Sequence, residues 1–249
     1  MVTILAALEA GIINHRDKIR CNGHVEVSNR KFHCWKRDGH GNVDLVKSLR
    51  ESCDVYYYEL AQQVGIEKIA EVARILGLGQ SFDIEMSAVT SGIVPDKLWK
   101  LSARSREWVV GDTVNSSIGQ GYVLASPLQL AVMIARIATG NQILPRLIES
   151  INGVEADIET NRLKLNKNNL ILIRKALFEV TNDKRGTAYD SRVLTEKSQI
   201  IGKSGTSQVR NISAVERTRG VLENKDLPWE QRDHALFVNY APYDDPKIA

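Results

Sequence analysis

The chain has 249 residues, 43% of them hydrophobic and 25% charged, the balance of an ordinary globular protein of one large domain or two small ones. This argues against a disordered tail, a fibrous repeat or a disulfide-stapled miniprotein. Its 33 basic residues against 30 acidic ones give a net charge of +3, too weak for a nucleic-acid binder, where a clustered basic face is expected. No apolar run approaches the roughly 20 residues a bilayer requires.

In chain order, Met1 to Ala10 reads as a helix ended by Gly11, apolar on more than one face and therefore expected to be buried. The apolar stretch Met1 to Ile13 carries Glu9 and lacks a basic leader, so it is expected to be neither signal peptide nor anchor. Nothing precedes Met1 to cap that helix, which reads as an element cut in its middle. Residues 14–42 are irregular and rich in Cys, His, Gly and basic residues. Val43 to Val64 reads as one long helix and Ile66 to Leu76 as the next, ended by Gly77 and Gly79. Residues 80–112 read as loop.

Ser126-Pro127 is a cap-and-first-turn pair opening a helix over 128–139. Two short strands are expected within 142–163 and an amphipathic helix over 168–180. Strands are expected at Gln199–Lys203 and His234–Tyr240, and Lys247 to Ala249 resembles the start of another. The stretch Lys197–Arg210 is basic.

Two motifs carry chemistry. Lys203-Ser204-Gly205-Thr206 ends a strand, where small residues admit a substrate backbone and the lysine supplies a fixed positive charge. Serine acyl-transfer enzymes can place such a Lys-[Ser/Thr]-Gly strand opposite a Ser-x-Asn element. The matching tripeptide, with aspartate for asparagine, is Ser52-Cys53-Asp54. The second constellation is Cys21, Cys34, His40 and Cys53, spaced C-x12-C-x5-H-x12-C and using every cysteine of the chain. Thiolates and imidazole suit tetrahedral zinc, and four ligands close a structural site. The alternatives are three unrelated thiols, or one disulfide and a free cysteine. His15, His24 and His33 sit among basic loop residues and are expected to be solvated, with His24 or His33 as substitute ligands; His234 is expected to be a hydrogen-bonded strand residue. Tyr56-Tyr57-Tyr58 reads as aromatic packing, since a helix sends those rings to different faces.

Taken with Ile118-Gly119-Gln120-Gly121, the segment ASPLQLA (125–131), Arg185-Gly186-Thr187-Ala188 and the final RDHALFVNYAPYDDPKIA, these motifs resemble, in order and over residues 1–249, the transpeptidase domain of class B penicillin-binding proteins. Asp54 and the RDHA segment favour the elongation type, that of penicillin-binding protein 2. The resemblance implies a mixed α/β fold, an antiparallel sheet flanked by helices. It implies a peptidoglycan D,D-transpeptidase in which a serine forms an acyl-enzyme that an amine of a neighbouring stem peptide resolves, and which β-lactams trap. Ser52 and Asp54 would line the cleft and relay or orient protons. Lys203 would set the environment of the substrate carboxylate, and Thr206 would bind it. Ser204, Gly205 and Gln208 would complete the substrate and penicillin surface, with the amide two residues past Gly205 in the oxyanion hole.

Some members of the elongation type carry a zinc site with Asp, Asp, His and Cys ligands. Cys21 and Cys34 fall where the two carboxylates would be, which implies a Cys3His variant pinning residues 14–42 to the Ser52–Asp54 segment. The family's Ser-x-x-Lys nucleophile is expected immediately before residue 1, and further strands after residue 249, so the chain reads as a partial domain over 1–249. Its formal match Ser28-Asn29-Arg30-Lys31 lies in the irregular region, only 24 residues before Ser52. The implied partners are stem peptides, β-lactams, a glycan polymerase and other elongation proteins, at the periplasmic face of the inner membrane through an anchor outside this chain. The rival readings are a catalytically dead, zinc-stabilised remnant of a split gene and a serine β-lactamase-like hydrolase, for which no deacylating base is evident.

Overall fold

The core begins with a helix apolar on every side. Helix α1 (Val2–Glu9) buries each residue from Thr3 to Leu8. The computed structural model describes residues 1–84, 89–155, 160–195, 199–210, 216 and 222–249. Lys197 of the basic stretch, residues 85–88 of the segment read as loop and residues 156–159 of the strand-bearing segment lie outside the described residues.

Residues 19–43 hold four short strands rather than irregular chain: β1 (Ile19–Cys21), β2 (His24–Val27), β3 (Arg30–His33) and β4 (Gly41–Val43). β1 pairs antiparallel with β4, placing Cys21 opposite Gly41, and β2 with β3, placing His24 opposite His33. In β2 burial alternates, Val25 and Val27 inward, His24 and Glu26 outward, the period-2 pattern of a half-buried strand. The many polar residues between the apolar ones obscure that pattern in sequence.

The expected single helix over 43–64 is two helices, α2 (Leu45–Arg50) and α3 (Asp54–Val64). The break is conformational: Ser52 sits at φ +52°, in the left-handed region that no L-residue holds within a right-handed helix. Asp44 caps α2 by accepting the Lys47 N–H, and Cys53 is the N-cap of α3. All three tyrosines 56–58 are buried.

Helix α4 (Ile66–Ile75) follows as expected, and the segment read as loop contains α5 (Lys97–Arg104) and the start of α6 (Val110–Ser117). Two aspartates explain both helix starts. Asp96 accepts the Trp99 N–H at 2.7 Å, and Asp112 accepts the Val109 N–H at 2.9 Å together with the Lys100 ammonium at 2.6 Å. A sequence with few apolar residues in register hides helices whose starts are set by such caps.

Helix α7 (Pro127–Thr139) opens with a reciprocal capping box: Ser126 Oγ accepts Gln129 N–H and Gln129 Oε1 accepts Ser126 N–H. After the hairpin of β5 (Ser150–Ile151) and β6 (Val154–Glu155), helix α8 (Lys167–Asn182) buries Leu170, Ile173, Ala176, Leu177 and Val180, the three-and-four spacing of a core-facing stripe. Helix α1 packs on α3, α4 and α8, α2 on α8, and α3 on α6. Thr3 Oγ1 donates to Ser117 O at 2.6 Å, and Glu9 accepts from Asn166 N–H and Asn169 Nδ2, so both ends of α1 are tied down.

Strand β7 (Ile201–Ser207) starts later and runs further than expected, and it pairs with β8 (His234–Tyr240). Among the described residues the strands form four two-stranded sheets, so the fold is mixed α/β with small sheets. The segment 247–249 contributes an isolated bridge, Ile248 to Ala241, rather than a strand. The chain divides into two compact units, Met1–Lys203 with Val238–Ala249, and Ser204–Phe237. Within the smaller one, Asp233 joins the polypeptide to itself, accepting Val209 N–H at 3.2 Å and donating its own N–H to Asn224 Oδ1 at 2.9 Å.

Candidate active site and metal centre

Between α2 and α3 the backbone reverses through Glu51 and Ser52, and this turn is held from several directions. Ser52 N–H donates to Leu49 O and Cys53 N–H to Ser48 O. From outside, Thr187 N–H donates to Arg50 O at 3.1 Å. The Trp35 indole N–H is shared between Glu51 O at 3.1 Å and Ser52 O at 2.9 Å. The left-handed conformation thereby presents Ser52 Oγ to the end of a remote strand, where Lys203 Nζ donates to it at 3.0 Å across 151 residues of sequence.

Asp54, the first residue of α3, accepts the Trp35 backbone N–H at 2.9 Å. Burial pushes its carboxyl up to about 7, outweighing that hydrogen bond and the attraction of Lys203. Burial likewise lowers the Lys203 ammonium to about 8, against the opposing pull of Asp54. Ser52, Asp54 and Lys203 are thus brought together in the larger unit. Ser204, Gly205 and Thr206 continue β7 within the smaller unit and Gln208 follows its end; Ser204 is half-buried and the other three are exposed. Of the other motifs, Arg185–Ala188 follows α8 and supplies the Thr187 amide to the turn, while Ile118–Gly121 follows α6.

Next to the turn lies the cluster of Cys21, Cys34, His40 and Cys53. All four are buried, and their candidate ligand atoms lie within 4.8 Å of one another. Each comes from a different element: the end of β1, the residue after β3, the residue before β4 and the N-cap of α3. Cys34 Sγ is 3.5 Å and Cys21 Sγ 3.7 Å from His40 Nδ1. A tetrahedral zinc with bonds of about 2.3 Å to sulfur and 2.0–2.1 Å to nitrogen sets its ligand atoms about 3.6 Å apart, so the donor set fits that ion in type and number, and these two sulfur-to-nitrogen separations match its spacing. The closeness of the two thiols holds Cys34 below the ordinary thiol range and, with burial, pushes Cys53 up. No disulfide links the three thiols.

The loops reach one another only because two glycines let them. Gly23 and Gly39 stand at φ +90° and +80°, and a Cβ on them would lie 1.9 Å from Arg37 O and 2.3 Å from Cys21 O. Lys47 Nζ braces the far side by donating to His40 O at 2.6 Å and Asn42 O at 3.1 Å. His15, His24 and His33 are exposed and outside the cluster; His24 and His33 instead pair their rings across the β2–β3 hairpin at 5.9 Å. His234 is exposed at the start of β8. Ser28 and Asn29 form the tip of that hairpin, both left-handed and exposed.

Trp35 is the residue that sequence reasoning passes over. It is 59% exposed, so burial does not explain it. Yet it meets Asp54 and Ser52 through its two N–H groups and the His40 ring edge-to-face at 5.4 Å. Its one sequence signal is its place directly after a cysteine of the metal-like cluster.

Over residues 1–249 the sequence matches the family described as the penicillin binding protein transpeptidase domain. It is 34% identical to the peptidoglycan D,D-transpeptidase MrdA of Acinetobacter baumannii, over 98% of the chain and 37% of that protein. With the MrdA of Escherichia coli K12 the identity is 29%, over 98% of the chain and 39% of that protein. The chain therefore spans about two fifths of the length of these curated relatives. Among solved structures it resembles penicillin-binding protein PBP2 of Helicobacter pylori, solved in complex with MreC, with TM-score 0.84 and 36% identity over 99% of the chain and 43% of that one. PBP2 of Pseudomonas aeruginosa, solved in complex with WCK 5153, gives TM-score 0.84 and 31% identity over 99% of the chain and 52% of that one.

Proposed function

The chain belongs to the penicillin binding protein transpeptidase family, and from that premise we propose that it is the penicillin-binding transpeptidase domain of an elongation-type, acyl-serine D,D-transpeptidase. The observation that carries this reading is the 3.0 Å hydrogen bond between Lys203 and Ser52 beside Asp54. It unites the two motifs, distant in sequence, that the chemistry requires in one place.

In the proposed reaction a serine hydroxyl adds to the carbonyl carbon of the penultimate D-Ala of a stem peptide. The C–N bond to the terminal D-Ala then breaks, and the hydroxyl proton leaves with that amine. An amine of a second stem peptide next attacks the ester, forming the crosslink and returning the proton to the serine. Ser52 and Lys203 form the hydrogen-bonded path along which the proton reaches the leaving amine, and the half-buried ammonium steers the substrate carboxylate. By resemblance to the family motif, Ser204, Gly205, Thr206 and Gln208 are the residues proposed to bind substrate or penicillin.

Ser28, the chain's formal Ser-x-x-Lys serine, is not the nucleophile in this reading. It stands at a left-handed hairpin tip open to solvent, whereas an acylating serine needs a base held against it. The chain supplies the groups that act on the nucleophile. Fluorescent penicillin tests the reading on the full-length gene product. Covalent labelling slowed at least tenfold by Ser52→Ala and by Lys203→Met supports it; no labelling of the wild type favours the non-catalytic remnant, and a label on Ser28 overturns the assignment.

We also propose that Cys21, Cys34, His40 and Cys53 hold a structural zinc ion. It would tie the two β-ribbons to the N-terminus of α3 and favour the thiolate form of its cysteine ligands. Protein purified without chelator is expected to carry about one equivalent, and under about 0.2 equivalents would remove the proposal. By the same reading, the full-length protein works at the periplasmic face of the inner membrane. Its partners there are a glycan polymerase and elongation proteins, one of them of the MreC kind found with the Helicobacter pylori relative.

A further inference from the structure

The Ser52 turn poses a positioning problem. Serine at φ +52° occupies a region that is costly for an L-residue and persists only where its surroundings over-determine it. Three successive carbonyls of the turn, those of Arg50, Glu51 and Ser52, accept hydrogen bonds from outside it. One comes from the Thr187 amide and two from the single indole N–H of Trp35. The same residue's backbone N–H holds the Asp54 carboxylate at 2.9 Å, so one side chain and its own amide fix both members of the Ser52–Asp54 pair.

Trp35 is at the same time joined to the thiol–imidazole cluster, being covalently next to Cys34 and in edge-to-face contact with His40. Its exposure decides what it is for. An indole kept for apolar burial would not stand 59% in solvent, whereas its N–H edge is turned inward onto two carbonyls.

We infer that Trp35 is a positioning residue that holds the left-handed Ser52 turn, and with it the Ser52 hydroxyl, against Lys203. Trp35 touches neither substrate nor reacting atom; it acts through Ser52 and Asp54. The inference rests on the transpeptidase reading only for its effect on rate, because the effect on the turn itself is a property of the folded chain.

The decisive perturbation removes the indole N–H and nothing else: replacement of Trp35 by 3-benzothienylalanine, which keeps the bicyclic shape and substitutes sulfur for N–H, with Trp35→Phe as a genetically simple companion. Loss of one hydrogen bond shared by two carbonyls corresponds to roughly a tenfold change. In the full-length protein without ligand, amide exchange of Ser52 and Cys53, followed by mass spectrometry of the peptide spanning 48–55, is expected to speed up about tenfold in both variants. Penicillin acylation is expected to slow about tenfold in its rate constant, with the dissociation constant of the non-covalent complex and the metal content unchanged and the melting temperature lowered by no more than about 4 °C. Unaltered exchange of Ser52 and Cys53 overturns the inference, whatever the reactivity of the protein. So does a slower acylation accompanied by metal loss and a larger fall in melting temperature, which marks a merely structural role. A wild type that never acylates refutes the transpeptidase reading instead, and the exchange result then still decides for or against positioning by Trp35.

Discussion

Replacing Lys203 by methionine is expected to strengthen the fold at neutral pH while disabling the site. The Lys203 ammonium is depressed from 10.5 to about 8, chiefly by burial. At about 1.4 kcal/mol per pH unit, keeping it charged in the folded state opposes folding by up to about 3 kcal/mol. Methionine removes that penalty but also the hydrogen bond to Ser52, worth about 1 kcal/mol, leaving a net gain of about 2 kcal/mol at pH 7. Because the folded-state value is the depressed one, the penalty is complete below pH 8 and shrinks between 8 and 10.5. It is under about 1 kcal/mol at pH 10. Urea unfolding of wild type and variant at both pH values measures this directly. The expected result is a variant more stable at pH 7 whose advantage disappears or reverses at pH 10, with penicillin acylation lost throughout. A variant destabilised equally at both pH values would refute the reasoning, since it would mean that the ammonium is not held against its hydration. The trade is the one expected of a functional group buried for its chemistry.

Gly39→Ala places a methyl 2.3 Å from Cys21 O at φ +80°; a loss of about 2–4 kcal/mol in urea unfolding, with reduced zinc uptake, is expected. Cys34→Ser removes one of the four ligand-type groups of the cluster. It should lower bound zinc below about 0.2 equivalents and the melting temperature by more than about 5 °C. Ser126→Ala breaks the reciprocal cap of α7, which is expected to cost about 1 kcal/mol and leave both metal content and acylation rate unchanged.

Sequence and structure agree best where a signal is local and strong. Ser126-Pro127 followed by Gln129 marks the start of α7 because capping chemistry acts over one turn. The buried stripe of α8 is readable from its period, and the apolar ring of α1 from composition alone. The four ligand-type residues 21, 34, 40 and 53 are legible as a set, since cysteines confined to one region narrow the choice of partners. Legibility fails where the deciding interactions are non-local. The helix break at Ser52 is met by an indole 17 residues away in sequence and by the Thr187 amide, and no propensity of Glu51-Ser52-Cys53 announces it. Strands β1 to β4 are short and rich in charge, so their two-residue period drowns in polar substitutions. Trp35 escapes notice for a related reason: its chemistry is a donor aimed at backbone carbonyls, and backbone acceptors have no sequence signature.

The central claim, that Ser52 and Lys203 serve an acyl-transfer reaction on peptidoglycan stems, is tested most directly with a synthetic stem pentapeptide and an acceptor amine. The full-length gene product is incubated with both, and release of D-Ala and formation of the crosslinked peptide are followed together by mass spectrometry. The account predicts equimolar D-Ala and crosslink from the wild type, and neither above background from Lys203→Met. Crosslinking that proceeds at the wild-type rate in Lys203→Met, or a wild type that neither releases D-Ala nor forms the crosslink, would contradict it.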